Sequence, residues 1–353
     1  MGSMVKKPNY FNTALRQPIT FVCTILLLLS CALALSAHLI LPDKTTDANR
    51  QIPEMSLQFP GTKQNYIVID RDMDIRQVGF LTQLVEGTKD LSSYVPYENY
   101  VEKGTDLVIR YKGTEKSYSN TDYFLSEITH WAGTDTYGRD VLSRLILGLR
   151  VSLFVGFLSV IVSILVGVLI GSVGGYFGGP IDKIVMLIIN TSWSIPTILM
   201  AFAIIIALGK GFLVIVLAVG LTMWVDVARI VRGQVLQIKE ELFVKAGKTL
   251  GLNSTRLITR HVLPNVLGTI AVMAAANFAT AILVEAGLSF LGLGIQPPTP
   301  SLGNMLQEGY AFATGGFVYL AFFPILTIMI LVLCFNLLGT SLRDIYDVKT
   351  TTG

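Results

Sequence analysis

Six long apolar runs constrain this chain more than any other feature. Each holds about 20 or more residues with few charges, the length with which an α-helix crosses the hydrocarbon core of a bilayer. Only 14% of the residues are charged, against roughly a quarter in soluble domains. We therefore predict an all-α membrane protein with six transmembrane helices. The predicted spans are Ile19–Leu41, Leu145–Val173, Ile184–Leu208, Phe212–Val231, Val266–Leu293 and Phe317–Leu338.

The basic residues that flank these runs predict an orientation. Loops rich in Lys and Arg stay in the cytoplasm, and Lys6, Lys7 and Arg16 precede the first span. With six spans, both termini and the loop between spans four and five are then cytoplasmic. That loop and the helix ends beside it are strongly basic, with Glu240 and Glu241 as the acidic exceptions. The basic residues there are Arg229, Arg232, Lys239, Lys245, Lys248, Arg256 and Arg260.

Two segments have alternative interpretations. At the outer end of span two, we predict an interfacial helix whose arginines extend to lipid headgroups; they are Arg139, Arg144 and Arg150. The first span, preceded by Lys6 and Lys7, also resembles a signal peptide. Its apolar run is long for a signal peptide, and its removal would leave an odd number of spans. We therefore predict that it is a transmembrane helix.

Residues 42–131, between spans one and two, have a different composition. They are net acidic, and the runs Tyr66–Ile69 and Leu107–Tyr111 are typical of short strands. We predict a small extracytoplasmic α/β or β insertion that contacts a delivery protein or a second membrane subunit. Three alternating aspartates lack the glycine and distal glutamate of a calcium loop, which predicts a solvated strand or turn. They are Asp70, Asp72 and Asp74.

The sequence shows no catalytic or metal-binding pattern. Its cysteines lie inside apolar runs, and its histidines are scattered without a metal-ligand spacing. We therefore predict no catalytic residues, no metal site and no nucleic-acid partner. The residues concerned are Cys23, Cys31, Cys334, His38, His130 and His261.

The loop between spans four and five has the pattern of two helices joined by a glycine. Glu240–Leu250 predicts a helix that ends at Gly251, where glycine is preferred. Asn253 or Ser254 can begin a second helix, which we expect to end at Pro264. The first helix has an apolar side, which either enters a groove on a partner protein or lies on the membrane or on the chain's own helices. That side consists of Leu242, Phe243, Ala246 and Leu250.

Polar residues inside the spans are candidates for a translocation pathway, because such residues usually face a cavity or a partner helix. In span five, Glu285 either meets a peptide's amino terminus or has a structural role, in which it pairs with a partner membrane subunit or lies at the outer interface; we favour the structural role. We expect Asp226 to pair with Arg229 one turn away in span four. The candidate pathway residues are Asn190, Ser192, Asn277, Thr280 and Glu285; the last three roughly share one helix face.

Five separated motifs carry a resemblance to a known family. The loop sequence VKAGKTLG at Val244–Gly251, followed by HVLPN at His261–Asn265, resembles the EAA loop of ABC-importer permeases. The other motifs resemble the C-type permease subunit of oligopeptide and dipeptide importers. They are GTDTYGRDVLSR at Gly133–Arg144, GGYFGG at Gly174–Gly179, LSFLGLGIQPPTPS at Leu288–Ser301, and FNLLG at Phe335–Gly339 with LRD at Leu342–Asp344.

The resemblance implies a fold of one N-terminal helix followed by a five-helix type I ABC-importer core in the bacterial inner membrane. It also implies a partition of the chain. The implied segments are a cytoplasmic N-terminus (1–17), helix 1 (18–41), an extracytoplasmic domain (42–131), an ABC permease domain with the EAA loop at 240–265 (132–342) and a cytoplasmic tail (343–353).

The resemblance also implies the partners. They are a second homologous permease that forms a heterodimer, two ATP-binding cassette subunits and an extracytoplasmic solute-binding protein. The chain itself would then be no enzyme and would hold no cofactor, because the partner subunits bind ATP and Mg. The EAA loop would contact the ATPase, with Gly251 and Pro264 as pivots. Its implied contact residues are Leu242, Phe243, Lys245, Ala246, Gly247, Gly251, Leu263 and Pro264.

Four positions depart from the family pattern. Lys245 stands where the family has Glu, and Gly247 stands where it has Ala; the others are Leu302 and Thr340. A reversed charge at a docking surface implies a partner with altered charge. Two other functions stay open: a secondary transporter, which would show internal repeats and paired ionisable residues, and a receptor or scaffold with a working outer domain. The sequence does not specify the cargo.

Overall fold

The computed structural model describes residues 18–69, 79–88, 92–103, 106–119 and 123–351. The basic residues before the first span and the three alternating aspartates lie outside these ranges. Within them, the chain is mostly helical and has six strands between the first and second long helices.

The helices are numbered in chain order. They are α1 Pro18–Leu35, α2 Ala37–Ile40, α3 Phe80–Glu86, α4 Val141–Phe177, α5 Gly179–Trp193, α6 Thr197–Leu208, α7 Phe212–Ile238, α8 Leu242–Thr249, α9 Ser254–Leu257, α10 Leu263–Phe290, α11 Leu302–Ala313 and α12 Tyr319–Thr351. A π-helical turn, Ile258–Val262, joins α9 to α10, and a 3₁₀ turn, Pro53–Met55, precedes the first strand.

Five helical segments of the described chain are long and apolar enough to cross a membrane. A sixth crossing is possible if α5 and α6 count as one span, because together they meet the same criterion. All six predicted apolar runs are therefore helical. The five segments are Pro18–Leu35, Val141–Phe177, Phe212–Ile238, Ser254–Phe290 and Tyr319–Asp344.

The prediction of one continuous third span was wrong. The chain bends by 91° between α5 and α6. Pro196 has no amide hydrogen and its ring clashes with the preceding turn of a helix. The turn before it is already distorted, because the Ser194 hydroxyl donates to the Asn190 carbonyl and the Ile195 amide reaches back only to Ser192. The break therefore follows from local chemistry that the apolar run conceals.

Several predicted helix ends also shift. The fourth helix continues past Val231 to Ile238, and the first ends at Leu35 before a separate turn. The helix that contains the fifth span begins at Ser254 rather than after Pro264. Polar residues extend the helices of the fourth and fifth spans beyond their apolar runs. A helix can extend in this way because its formation depends on backbone hydrogen bonds and not on apolar side chains.

One compact unit, the β-containing unit, comprises Ser30–Val151 and Gln296–Thr327. Its described strands form two antiparallel sheets, with orders β2-β1-β6 and β3-β4-β5. The predicted strands at Tyr66–Ile69 and Leu107–Tyr111 are confirmed as parts of β1 and β4. The strands are β1 Thr62–Ile69, β2 Ser93–Pro96, β3 Asn99–Lys103, β4 Asp106–Tyr111, β5 Thr114–Ser119 and β6 Tyr123–His130.

Strand β1 is buried on both faces. Because side chains alternate across a strand, Tyr66 and Val68 pack against Met55 on one side. Ile67 and Ile69 pack on the other side, against residues that include Leu107. The two sheets of the insertion therefore share an apolar core.

The other compact unit, the helical unit, comprises Met1–Leu29, Ser152–Ile295 and Ile328–Gly353. Glycines at four-residue spacing bring α4 against α7: Gly167, Gly171 and Gly175. A Cβ atom on Gly167 would lie 2.5 Å from the Cβ of Val227, and one on Gly175 would lie 2.7 Å from the Arg232 carbonyl oxygen. Small residues at this spacing let membrane helices approach closely, so we call this contact the glycine seam.

Candidate functional site

The loop between α7 and α10 forms the helix–glycine–helix elbow that the sequence predicts, with α8 as its first helix. Helix α8 ends in a Schellman motif: the Leu252 amide donates to the Gly247 carbonyl and the Gly251 amide donates to the Lys248 carbonyl. Gly251 has φ +77°, a conformation that side-chain-bearing residues rarely adopt. Asn253 then begins the next helix, and its side chain accepts from the Thr255 amide at 3.4 Å. The predicted glycine stop and the Asn253 N-cap are both confirmed.

Gly247 allows the two arms of the elbow to pack together. A Cβ atom on Gly247 would lie 2.7 Å from the Cδ2 of Leu257. Val244, Leu257 and Val262 are also buried, and Val244 and Val262 join an apolar cluster with Val227 and other residues of α7 and α10. The inner face of α8 is therefore covered by the chain itself. A residue with a Cβ atom at position 247 would require the Leu257 side chain to shift.

The outer face of α8 is apolar and uncovered. Leu242 is 83% exposed and Leu250 is 81% exposed, and Phe243 and Ala246 are also exposed. The predicted apolar side of α8 is therefore the side that points away from the chain's own helices. Exposed leucines of this kind mark a contact surface.

An ion pair lies beside these leucines. The Lys245 ammonium is 3.0 Å from a Glu240 carboxylate oxygen, and both side chains are exposed. This contact lowers the pKa of Glu240. Lys245, which replaces the family's acid, is thus accompanied by an acid of the same loop.

The base of the elbow is fixed by polar contacts that the sequence did not reveal. Arg232 on α7 makes a two-pronged ion pair with Asp182 on α5; its Nη2 lies 2.6 Å from Asp182 Oδ2, and its Nε contacts Oδ1. Lys239 donates to the Gly175 carbonyl at 3.1 Å. Two of the basic residues that predicted orientation are therefore also structural.

The prediction that the second elbow helix ends at Pro264 was wrong. The π turn hydrogen-bonds the Leu263 amide to the Ile258 carbonyl, five residues back, and the helix continues through Pro264 to Phe290. Proline is tolerated there because it lies in the first turn after the wide π turn. Leu263 is half-buried and Pro264 is exposed.

Glu285 is enclosed by two hydroxyl donors. Ser152 on α4 donates to Oε2 at 2.9 Å and Ser289 on α10 donates to Oε1 at 2.7 Å. Its side chain is completely buried. Within this chain, the geometry fits the structural role that we favour, because a buried carboxylate needs such donors.

The other span-five candidates differ in burial. Asn277 is buried, and its Nδ2 has no hydrogen-bond partner among the described residues. Thr280 is exposed, and its hydroxyl donates to the Ala276 carbonyl. Thr280 is therefore exposed, whereas Asn277 and Glu285 are buried.

The expected Asp226–Arg229 pair does not form. Arg229 Nη2 instead donates to Asn190 Oδ1 at 3.2 Å, and its guanidinium carbon lies 4.1 Å from the centre of the Trp193 ring. Asn190 is exposed and Ser192 is half-buried just before the bend between α5 and α6. The structure thus brings one of the span-three candidates, Asn190, to a basic residue of span four.

In the β-containing unit, Arg139 and Arg144 are buried rather than directed to lipid headgroups. Arg139 Nε contacts Asp135 Oδ2 at 2.6 Å, and its Nη2 contacts Glu308 Oε2 at 2.8 Å. The interfacial-helix prediction was wrong for these two residues, because a charge pair with Glu308 is not visible to local sequence reading. Arg150 is half-buried and donates to the Leu84 carbonyl at 3.4 Å.

The same unit holds a buried hydrogen-bonded chain that sequence spacing missed. His130 bridges the Tyr66 hydroxyl and the Asp140 carboxylate, each at 2.9 Å. The Ser143 hydroxyl donates to Asp140 Oδ2 at 2.7 Å. These contacts fix strand β6 to the GTDTYGRDVLSR segment. Within the described ranges, no group of three or more His, Cys, Asp or Glu residues is placed to hold a metal ion.

Comparison with known proteins decides the family. Residues 150–351 match the family described as binding-protein-dependent transport system inner membrane component. The matched region covers more than half of the chain and includes the elbow and the pathway candidates. The chain belongs to this family. This permease is therefore a multi-pass inner membrane protein of a transport system, and the resemblance carried by its motifs is confirmed.

Similar curated permeases come from several bacteria. The oligopeptide transport system permease protein OppC of Bacillus subtilis is 41% identical over 220 residues, which cover 62% of this chain and 72% of that protein. The dipeptide transport system permease protein DppC of the same organism is 44% identical over 220 residues, covering 62% and 69%. The glutathione transport system permease protein GsiD of Shigella dysenteriae is 39% identical over 222 residues, covering 63% and 73%.

Proposed function

We propose that the permease forms half of the translocation pathway of an ATP-driven importer for peptides or similar small solutes. A second, homologous permease supplies the other half. Two ATP-binding cassette subunits bind ATP and Mg, and an extracytoplasmic binding protein delivers the cargo. The relatives named for oligopeptide, dipeptide and glutathione transport support this class of cargo.

The observation that carries the proposal is the outer face of α8. Leu242 and Leu250 are almost fully exposed, although the inner face of the same short helix is packed against α7 and α10. A helix held rigidly on one side with two leucines presented on the other fits a groove on a partner. The proposed partner is the ATPase, which would move α8 through the turn at Gly251.

Substitution of Leu242 by Ala tests this role. We expect the variant to retain less than about one third of the co-purified ATPase and a correspondingly lower transport rate, because a buried leucine contributes about 1.5–3 kcal/mol. Thr259→Ala is the matched control, since Thr259 is exposed on the same elbow and bonds only its own helix in the described structure. Full ATPase recovery with Leu242→Ala would show that α8 does not dock the motor.

The proposed orientation places both termini and the elbow in the cytoplasm. It requires that α5 and α6 together cross the membrane once. The basic residues of the elbow support this side, because cytoplasmic loops are enriched in Lys and Arg. The insertion at 42–131 is then extracytoplasmic, with the permease domain at 132–342 and the tail at 343–353.

The insertion is proposed to contact the binding protein or the second permease. Its surface carries exposed apolar residues that no part of the described chain covers: Val101 on β3, and Phe124 and Leu125 on β6. Exposed apolar side chains on strands are available for a contact with another protein.

A further inference from the structure

Arg229 is a charged residue inside a helix that otherwise has the composition of a membrane span. It follows Phe212 by about 17 residues, or roughly 25 Å along α7. This places it toward the cytoplasmic end of the predicted span, and ionisable residues within spans are usually paired or functional. Arg232, one turn later, is paired with Asp182. In the described chain, no carboxylate lies within ion-pair distance of Arg229.

The contacts of Arg229 leave its charge uncompensated. Nη2 donates to the neutral amide oxygen of Asn190, and the guanidinium lies over the Trp193 ring. Nε is buried and has no hydrogen-bond partner among the described residues. A guanidinium has five N–H donors, and the Nη donors that do not bond Asn190 remain available. The group is also held against α5 rather than extended along its own helix toward headgroups.

Polar side chains accompany exposed apolar ones in the surroundings of Arg229. Non-helical backbone at membrane depth occurs where it lines a water-filled cavity or is buried in protein. Here the bend between α5 and α6 lies next to Asn190, Thr191 and Ser194, all of which are exposed. Asn190 therefore joins the arginine to the helix end that precedes the bend.

We propose that Arg229 binds a carboxylate of the cargo as it passes through the pathway, with Asn190 orienting the guanidinium and Trp193 supporting it. Carboxylates fit the guanidinium fork with two parallel hydrogen bonds, and every unmodified peptide ends in a carboxylate. This inference rests on the proposed function, because it assumes that the cargo is a peptide.

The test uses the complete importer in proteoliposomes, with saturating cargo supplied as a matched pair. One peptide has a free C-terminal carboxylate, and the other is a C-terminal amide that the wild-type importer also carries. We expect Arg229→Gln to lower uptake of the carboxylate peptide about tenfold, as expected for loss of a charged hydrogen bond. Uptake of the amide should change less than twofold. Arg229→Lys should restore part of the carboxylate uptake.

Asn190→Asp separates cargo binding from a structural role. It places an internal carboxylate beside the Arg229 guanidinium, so it should lower carboxylate uptake as Arg229→Gln does, while leaving the thermal stability of the complex unchanged or higher. Lys183→Gln is the control, because Lys183 is an exposed cation of the same helix; it should behave as wild type.

Three results would overturn the inference. Equal losses for both peptides in Arg229→Gln would mean a structural or subunit-contact role. Unchanged uptake of both would mean no role in the pathway. Loss of uptake in Lys183→Gln to the same extent would indicate a general charge effect, for example on lipid headgroups. If the wild-type importer carries neither peptide, the proposed cargo class is wrong, and that result is distinct from the other three.

Discussion

The carboxylate of Glu285 is held between Ser152 of α4 and Ser289 of its own helix. A single acid in an apolar span is an ambiguous signal, because cargo binding and internal pairing both require one. The hydroxyl contacts distinguish the two, since both oxygens accept hydrogen bonds from within the helical unit. Arg229 is the opposite case, with donors left over and only a neutral amide as a hydrogen-bond partner in the described chain.

Ser152→Ala should therefore lower stability rather than transport specificity. We expect a loss of about 1 kcal/mol, the order measured for hydrogen bonds between membrane helices, because one Glu285 oxygen loses its donor. The measurement is the thermal midpoint of the detergent-solubilised complex. Thr280→Ala is the control, since that exposed hydroxyl bonds only to its own helix in the described structure. A cargo-selective transport defect with unchanged stability would assign Glu285 to the pathway.

At the scale of elements, Pro196, Pro264 and Pro324 lie in or beside apolar runs, and of these three only Pro196 breaks its helix. Pro196 follows a turn in which the Ser194 hydroxyl already competes for a backbone carbonyl. Pro264 follows a π turn, and Pro324 lies near the start of α12, where fewer helical bonds are lost. Apolar length therefore predicted that these segments are helical. It could not predict the bend, because that depends on the hydrogen bonds of a few neighbouring residues.

The exposed apolar side chains of the insertion offer an elemental test of its proposed contact. Deletion of part of the insertion would expose the core that its sheets share, so the double variant Val101→Asp, Phe124→Asp is preferable, because both side chains are already exposed. We expect transport to fall at least threefold while the ATPases stay bound, since charges oppose burial in an interface. Ser117→Asp, at an exposed position on β5, should leave transport unchanged. Wild-type transport by the double variant would exclude this surface as a contact.

For the whole molecule, the number of crossings decides the topology. Five described segments qualify alone, and the bent α5–α6 pair qualifies jointly. If the pair crosses once, both termini lie on the same side; if it re-enters, they lie on opposite sides. The apolar pattern predicts the first arrangement, because it treats 184–208 as one straight helix.

Reporter fusions test this topology. We expect a fluorescent protein that matures only in the cytoplasm to be bright when fused at either terminus, because the proposed molecule crosses six times. Alkaline phosphatase, which is active only outside the cytoplasm, should be inactive at both termini and active within residues 42–131. A bright N-terminal fusion combined with an active C-terminal phosphatase would mean that the bent pair does not cross.

Long-range contacts set the limit of what the sequence could predict about the site. The elbow was predictable because its glycine, its N-cap and its apolar side lie within about 15 consecutive residues. The pairing of Arg139 with Glu308 joins residues 169 positions apart, and that of Arg232 with Asp182 joins residues 50 apart. A local sequence pattern does not predict contacts between residues so far apart in the chain. The roles of these arginines could therefore be predicted only from their positions relative to the spans.

The glycine seam has a mechanical consequence. Gly167 and Gly175 face the Cβ of Val227 and the Arg232 carbonyl with no room for a methyl group, so α7 cannot turn about its own axis past α4 without a steric collision. These two opposing atoms are part of the backbone or bonded directly to it, so they cannot swing aside. The two helices are therefore expected to move together as a rigid body. A force applied at Ile238, the end of α7 beside the elbow, would then displace the opposite end of α7 and would not be absorbed by local repacking.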